Sequence, residues 1–226
     1  MKKKNISETE SFLSKKGLYY NLIRWDLVEL IEGSDNKVLE IGCSTGNTGS
    51  MLKEKGMASE VVGIEMSPEI AEIAKTKLDK VITGNIENLN LPFGKNYFDY
   101  ILVGDVLEHL NNPWETLRNL NYFLENEGYI ISSIPNIRNW TIIKNLIVRG
   151  EWKYSNAGIL DRTHLRFFTK KSIIELFENS GFPEMEVTSN CRIKSRMSKY
   201  NLINTFTFGL FEGFLTYQYI IKAKKK

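Results

Sequence analysis

Three groups of residues in this 226-residue chain have types and spacing that could do chemistry. The first is the run Glu40-Ile41-Gly42-Cys43-Ser44-Thr45-Gly46-Asn47-Thr48-Gly49. It joins a short apolar stretch to the start of a helix. Its glycines permit positive φ and let a ligand lie against the backbone with no Cβ between them. Glu65 ends a second apolar stretch about 20 residues on, the usual distance to a carboxylate that holds a ribose diol. The second group is the chain's two histidines, His109 and His164. An imidazole titrates near neutrality and suits a general base, although a hydrogen-bonded structural role is the other reading of each. The third group is Asp105, Glu108 and His109, at i, i+3 and i+4, which places them on one face of a helical turn. With His164 they would make two carboxylates and two imidazoles, a mixed donor set that suits a divalent cation able to acidify a hydroxyl.

The elements that must position these groups alternate between strand and helix. Residues 38–41, 61–65, 81–83, 100–103 and 128–134 read as short buried strands, the fourth nearly continuous in apolar residues. Helices are expected over residues 48–55, from Pro68 to about residue 78 with Ser67 as cap, and over 113–124. Residues 17–32 carry Leu18, Leu22, Trp25, Val28, Leu30 and Ile31 near helical spacing and read as an N-terminal helix. Its Tyr19, Tyr20 and Arg24 could close over a ligand. Residues 137–168 are too long for a plain connection and read as an insertion over the site, with a helix over 140–148. Thr169 caps a further helix to about residue 179. Residues 183–189 and 217–221 read as closing antiparallel strands. Between them, residues 193–214 are rich in Phe and Leu and suit a second lid or a homodimer surface.

Composition bounds the answer. Hydrophobic residues make up 42% and charged residues 25%, ordinary for one globular domain, here taken as 1–226. The net charge of +3 gathers at Lys2, Lys3, Lys4 and at Lys222, Lys224, Lys225, Lys226, which read as two solvated tails. Cys43 and Cys191 are too few for a disulfide framework or a metal cluster, and a reducing cytoplasm fits them. The N-terminus lacks an apolar signal segment, and residues 201–221 are interrupted by Asn204, Glu212 and Gln218, which argues against a transmembrane segment.

Glycine spacing decides between cofactors. A dinucleotide fingerprint places glycines at positions one, three and six of its window. Counting from Gly42, those positions hold Ser44 and Asn47, so the window fails. What stands here is Glu-x-Gly-x-x-x-Gly, which resembles motif I of the class I S-adenosylmethionine-dependent methyltransferases. The resemblance continues through Glu65, Gly84-Asn85-Ile86-Glu87, and residues 98–110, which end Gly104-Asp105-Val106-Leu107-Glu108-His109-Leu110. It covers most of the chain in the family's order. It implies an α/β fold: a Rossmann-like, doubly wound, mostly parallel seven-stranded sheet with an antiparallel terminal strand and an inserted lid.

The same resemblance implies the ligand contacts. S-adenosyl-L-methionine would lie with its amino-acid end near the turn of Gly42, Cys43, Gly46, Asn47 and Thr48, its ammonium reached by Glu40. Glu65 would clasp the ribose, with Met66 beside it. Asn85, where the family often has Asp, would accept the adenine amino proton, and the Ile86 N–H would meet a ring nitrogen. Gly104 and Tyr20 complete the cofactor set. His109 and His164 are the candidate catalytic residues. Glu108, Asp161, Arg162 and Arg166 are candidate acceptor contacts, the two arginines suited to a phosphate or carboxylate or else to salt bridges with Asp161 or Asp105. The array of Asp105, Glu108, His109 and His164 resembles the metal site of small-RNA 2′-O-methyltransferases, with Asp105 one carbon short. The Leu-Glu-His run is also common in methyltransferases without a metal, and no metal is assigned from the sequence.

The acceptor is expected to be a small molecule. Pro135-Asn136 lacks the Pro-Pro-aromatic sequel of the DNA amino-methyltransferases, and no basic stripe interleaved with aromatics marks a DNA partner. Residues 161–169, Asp-Arg-Thr-His-Leu-Arg-Phe-Phe-Thr, resemble a segment of bacterial methyltransferases encoded with polysaccharide enzymes. This points to O-methylation of a sugar hydroxyl, on a nucleotide- or lipid-linked glycan, with a ubiquinone-type phenol next. The competing classes are an NAD-type Rossmann oxidoreductase and a non-catalytic S-adenosylmethionine-binding protein.

Overall fold

A computed structural model describes residues 21–190 and 211–226. Its centre is a seven-stranded sheet in the order β3-β2-β1-β4-β5-β7-β6. The strands are β1 (Asn36–Ile41), β2 (Ala58–Glu65), β3 (Lys80–Thr83), β4 (Phe98–Gly104), β5 (Leu124–Pro135), β6 (Glu184–Asn190) and β7 (Gln218–Lys224). The first five pair in parallel, and β7 runs antiparallel to both β5 and β6. The chain moves outward from β1 through β2 and β3, then returns to lay β4 and β5 on the other side. The order therefore reverses between β1 and β4, and in open sheets of this kind the ligand binds outside the carboxyl ends of the strands at that point.

Successive residues of the inner strands face opposite sides, so both faces must be apolar. Leu39, Ile101, Val103, Phe177, Phe182 and Tyr219 build the core on one face. Val38, Leu52, Val61, Leu102, Ile131 and Ile220 build it on the other. Helices α1 (Trp25–Val28), α2 (Asn47–Glu54), α3 (Pro68–Ala74), α4 (Pro113–Phe123), α5 (Trp140–Arg149), α6 (Lys170–Glu178) and α7 (Glu212–Leu215) fill the connections. Thr169 caps α6 in a reciprocal capping box with Ser172. Helix α5 has no buried side chain among the described residues and leaves Ile147 and Val148 at 76% and 70% exposure. Among the described residues no helix is long and apolar enough to cross a membrane.

Two local expectations are corrected. The helix expected over residues 17–32 is only Trp25–Val28 where described, because Arg24 leaves helical backbone (φ −84°, ψ 71°) and sends its guanidinium to Asp105 and Ser133. Tyr19, Tyr20, Cys191 and residues 193–210 of the expected second lid lie outside the described residues. Ser67 makes no side-chain cap on α3; its N–H is instead held by Glu65. The expected antiparallel terminal strand is β7, last in the chain and set between β5 and β6.

The C-terminal lysines are not a solvated tail. Lys222 and Lys224 lie in β7 and pair with Glu32 and Glu127. Lys225 is 6% exposed and donates from Nζ to Asn96 Oδ1 (2.9 Å), Asn121 O (2.7 Å) and Leu124 O (2.6 Å). A lysine run reads as a tail only until period-two pairing places its members. Lys225→Ala strands two main-chain carbonyls and should lower stability by about 2 kcal/mol. Urea unfolding reads this directly, and a midpoint shift no larger than that of an exposed Lys171→Ala control would contradict it.

Candidate active site

The glycine run forms a tight turn at the carboxyl end of β1. Gly42, Ser44 and Gly46 all have left-handed φ, at 70°, 53° and 77°. A Cβ on Gly42 would stand 2.8 Å from Val106 Cγ2, so both conformation and space require glycine there. The turn is strapped to β2: Gly42 and Cys43 N–H both donate to Ile64 O, at 2.8 and 3.0 Å. Ser44 N–H donates to Glu65 Oε2 at 3.0 Å, and Ser67 N–H to Glu65 Oε1 at 2.9 Å. A carboxylate offers about four lone-pair sites, so Glu65 keeps acceptor capacity on both oxygens. Met66 beside it is 71% exposed.

The other members of the expected cofactor set have partners within the protein. Cys43 turns its thiol into the core, where a Cβ on Gly63 would collide with Sγ, so only its main chain serves the turn. Burial pushes that thiol well above the ordinary range. Asn47 donates to Asn21 O and accepts from Lys77 Nζ, and Thr48 Oγ1 receives the Arg24 N–H. Asn85 caps the single turn Ile86–Asn88, its carbonyl accepting the Glu87 N–H at 3.0 Å. Gly104 leaves room for Arg24, whose Nη1 would be 2.8 Å from a Cβ there.

Glu40 is the outlier. It is 7% exposed, and its Oε2 is buried with no hydrogen-bond partner. Burial pushes its carboxyl up to about 8; the Gly49 amide, the Thr48 hydroxyl and the Arg24 charge pull the other way, and Glu65 adds to the rise. An orphaned carboxylate oxygen beneath this turn fits a ligand with an ammonium group, such as the S-adenosylmethionine implied above.

Beyond β4 the chain turns sharply. Asp105 takes a left-handed φ of 54°, and Leu107–His109 form one 3-10 turn. The expected helical face of Asp105, Glu108 and His109 therefore does not exist. Asp105 is bound instead by Arg24 Nη1 (2.9 Å), Ser133 Oγ (3.0 Å) and Gln218. This network joins α1, β4, β5 and β7, and nothing in the sequence spacing announces it.

Glu108, His109 and His164 do converge. The insertion is stitched to the turn by Leu165 and Arg166 N–H, which both donate to Glu108 O at 2.8 and 3.0 Å. The two imidazoles meet edge to face with centroids 4.7 Å apart. His109 Nδ1 lies 3.2 Å from Thr163 O, and His164 Nδ1 lies 3.0 Å from Ile159 O. A carbonyl only accepts, so both rings carry their proton on Nδ1 and a lone pair on Nε2. Burial is the largest influence holding the His164 imidazole below its ordinary pKa. Glu108 is 1% exposed, and neither carboxylate oxygen has a hydrogen-bond partner. Burial and the neighbouring Asp105 push its carboxyl well above the usual range.

Asp161 turns its carboxylate onto Thr163 N and Oγ1, at 2.8 and 2.6 Å. Arg162 and Arg166 are exposed and form no ion pair among the described residues; Arg166 donates to Asn111 O.

The Glu40 geometry makes a pH prediction. An ammonium ligand favours the carboxylate, so binding below pH 8 must release a proton. Affinity for S-adenosylhomocysteine should rise by up to tenfold per pH unit toward about 8 and then level off. The same sign means that the ligand-free fold loses stability as pH rises from 4.5 through about 8, since the folded carboxyl keeps a proton that the unfolded one has released. Calorimetry at a series of pH values checks the first. Glu40→Gln should bind at least tenfold more weakly at pH 8 and lose the slope; an unchanged slope would contradict the assignment.

Comparison with known proteins identifies the family. A model of the methyltransferase domain matches residues 19–186. An uncharacterized protein of Methanocaldococcus jannaschii is 29% identical over 184 residues, which span 74% of this chain and 69% of that protein. A demethylmenaquinone methyltransferase of Staphylococcus saprophyticus is 25% identical over 175 residues, 69% of this chain and 74% of that enzyme. The crystal structure of an S-adenosylmethionine-dependent methyltransferase from Archaeoglobus fulgidus superposes with a TM-score of 0.67 at 19% identity, covering 97% of this chain and 100% of that one. The chain belongs to the methyltransferase-domain family, as a class I enzyme whose methyl donor is S-adenosyl-L-methionine.

Proposed function

We propose that the enzyme methylates a hydroxyl oxygen on a small molecule, with a nucleotide- or lipid-linked sugar as its acceptor. The observation that carries this reading is the pair of imidazoles brought together from the turn after β4 and from the insertion, each with its Nδ1 on a carbonyl, which leaves the lone pair on Nε2. A hydroxyl must give up its proton as it attacks, and this pair is built to assist that loss. The cofactor supplies a methyl carbon on a positive sulfur, which needs alignment more than activation. Glu40, Glu65 and the Gly42–Gly46 turn fix the donor side. The insertion holding His164 covers the acceptor side, and the unpaired Arg162 and Arg166 suit an acceptor phosphate.

A second reading rests on the exposed apolar side chains of α5 and on Trp152 and Tyr154 after it. These suit an acceptor with a lipid tail, and relatives at 25% identity are named demethylmenaquinone methyltransferases.

Tritiated-methyl transfer to a panel of nucleotide sugars, glycolipids and a demethylmenaquinone tests both. On the hydroxyl reading the label is expected on an oxygen; transfer to the demethylmenaquinone, which forms a bond to a ring carbon, would support the second reading instead. His109→Ala and His164→Ala should each lower kcat by about 10²- to 10⁴-fold while S-adenosylhomocysteine affinity stays within twofold. Label on carbon or nitrogen, or full turnover in both variants, would overturn the hydroxyl reading.

A further inference from the structure

Glu108 poses a question that the protein's own hydrogen bonds leave unanswered. Its carboxylate is buried, and both oxygens lack a partner. The nearest candidate, His164 Nε2, stands 4.0 Å from Oε1, too far for a hydrogen bond. Leaving a buried carboxyl unpaired is costly, so a fold that keeps one has a use for it. Nothing else in the trio relieves it. Asp105 is not part of this group: Arg24, Ser133 and Gln218 hold its carboxylate, and only Glu108, His109 and His164 bring ligand atoms together among the described residues.

The imidazoles supply the second observation. Each ring is oriented by a main-chain carbonyl on Nδ1, which fixes the tautomer and leaves Nε2 as the donor atom. Metal-ligating histidines are oriented in this way, with the outer nitrogen bound to a carbonyl or carboxylate. One ligand atom from each of Glu108, His109 and His164 lies within 4.8 Å of the others. Donors held 2.0–2.2 Å from one ion stand about 3 to 3.6 Å apart, within reach of small side-chain rotations from this arrangement.

We propose that Glu108, His109 and His164 bind one divalent first-row transition-metal cation, of the manganese or zinc kind. Two nitrogen donors and one carboxylate favour such an ion over magnesium, which takes oxygen ligands. The cation is the missing partner of the Glu108 carboxylate. Three protein ligands leave coordination positions open. The role of the site, as distinct from its existence, rests on the hydroxyl reading above. The acceptor oxygen takes an open position, its proton passes to water, and the oxygen attacks the methyl carbon. The carbon–sulfur bond breaks, with its electron pair remaining on sulfur. The imidazoles then act through the cation rather than by taking the proton themselves.

The test uses full-length, tag-free protein stripped with a chelator and titrated with MnCl₂, followed by electron paramagnetic resonance and calorimetry. One saturable site per chain is expected. His164→Ala and Glu108→Gln should each weaken it at least tenfold. His109→Ala, at a half-buried position, gives the same readout if a buried variant fails to fold, and S-adenosylhomocysteine binding reports folding in all three. ZnCl₂ should displace Mn²⁺, and millimolar MgCl₂ should not. No saturable site, a site unchanged in folded variants, or equal displacement by Mg²⁺ would overturn the proposal. A site that binds Mn²⁺ while no hydroxyl acceptor is turned over upholds the metal and sinks the hydroxyl reading. Full hydroxyl methylation by metal-free enzyme upholds the hydroxyl reading and overturns the cation's role in it.

Discussion

The bend after β1 is held by one main-chain carbonyl. Ile64 O receives the N–H groups of both Gly42 and Cys43, and this doubled hydrogen bond ties the bend to the neighbouring strand. Three of the five residues from Gly42 to Gly46 are left-handed, a conformation that costs free energy wherever a side chain is present. Glu65 is braced from both sides by Ser44 and Ser67, so its position follows from the bend rather than from its own rotamer. The placement of Ser44 and Glu65 therefore follows from the way β1 is joined to β2.

The acceptor side has a different origin. Its residues come from segments more than 50 positions apart, and the join is again main chain: Leu165 and Arg166 N–H on Glu108 O. The root of the insertion is pinned by Asn136, fully buried, which donates to Gly213 O and Thr216 O, while Asn139 donates to Thr216 O as well. These amides satisfy carbonyls at the entrance to β7 that would otherwise be buried and unpaired. The insertion is thus part of the sheet's hydrogen bonding, and the convergence of the histidines depends on it.

Much of this was legible in the sequence because it is local. Apolar runs bounded by glycine marked the strands, and Thr169 marked its helix by capping chemistry. The spacing of Gly42, Gly46 and Glu65 distinguished the cradle from a dinucleotide site. What escaped was non-local or depended on a single dihedral. Asp105 at φ 54° breaks the helical turn that i, i+3, i+4 spacing suggested, and its partner Arg24 is 81 residues away. Lys225 looked like a tail because its three acceptors lie at least 100 residues earlier in the chain. Glu108 could be named as a candidate contact, but only packing reveals that its carboxylate has no partner.

The function depends on where the donor lies relative to the bend and the histidines. A crystal structure of the complex with S-adenosylhomocysteine tests this most directly. The ribose hydroxyls should sit on Glu65, the ammonium should stand within hydrogen-bond reach of Glu40, and the sulfur should face the Glu108, His109 and His164 cluster. A complex in which Glu65 still contacts only Ser44 and Ser67, or in which the sulfur points away from His109, would contradict it.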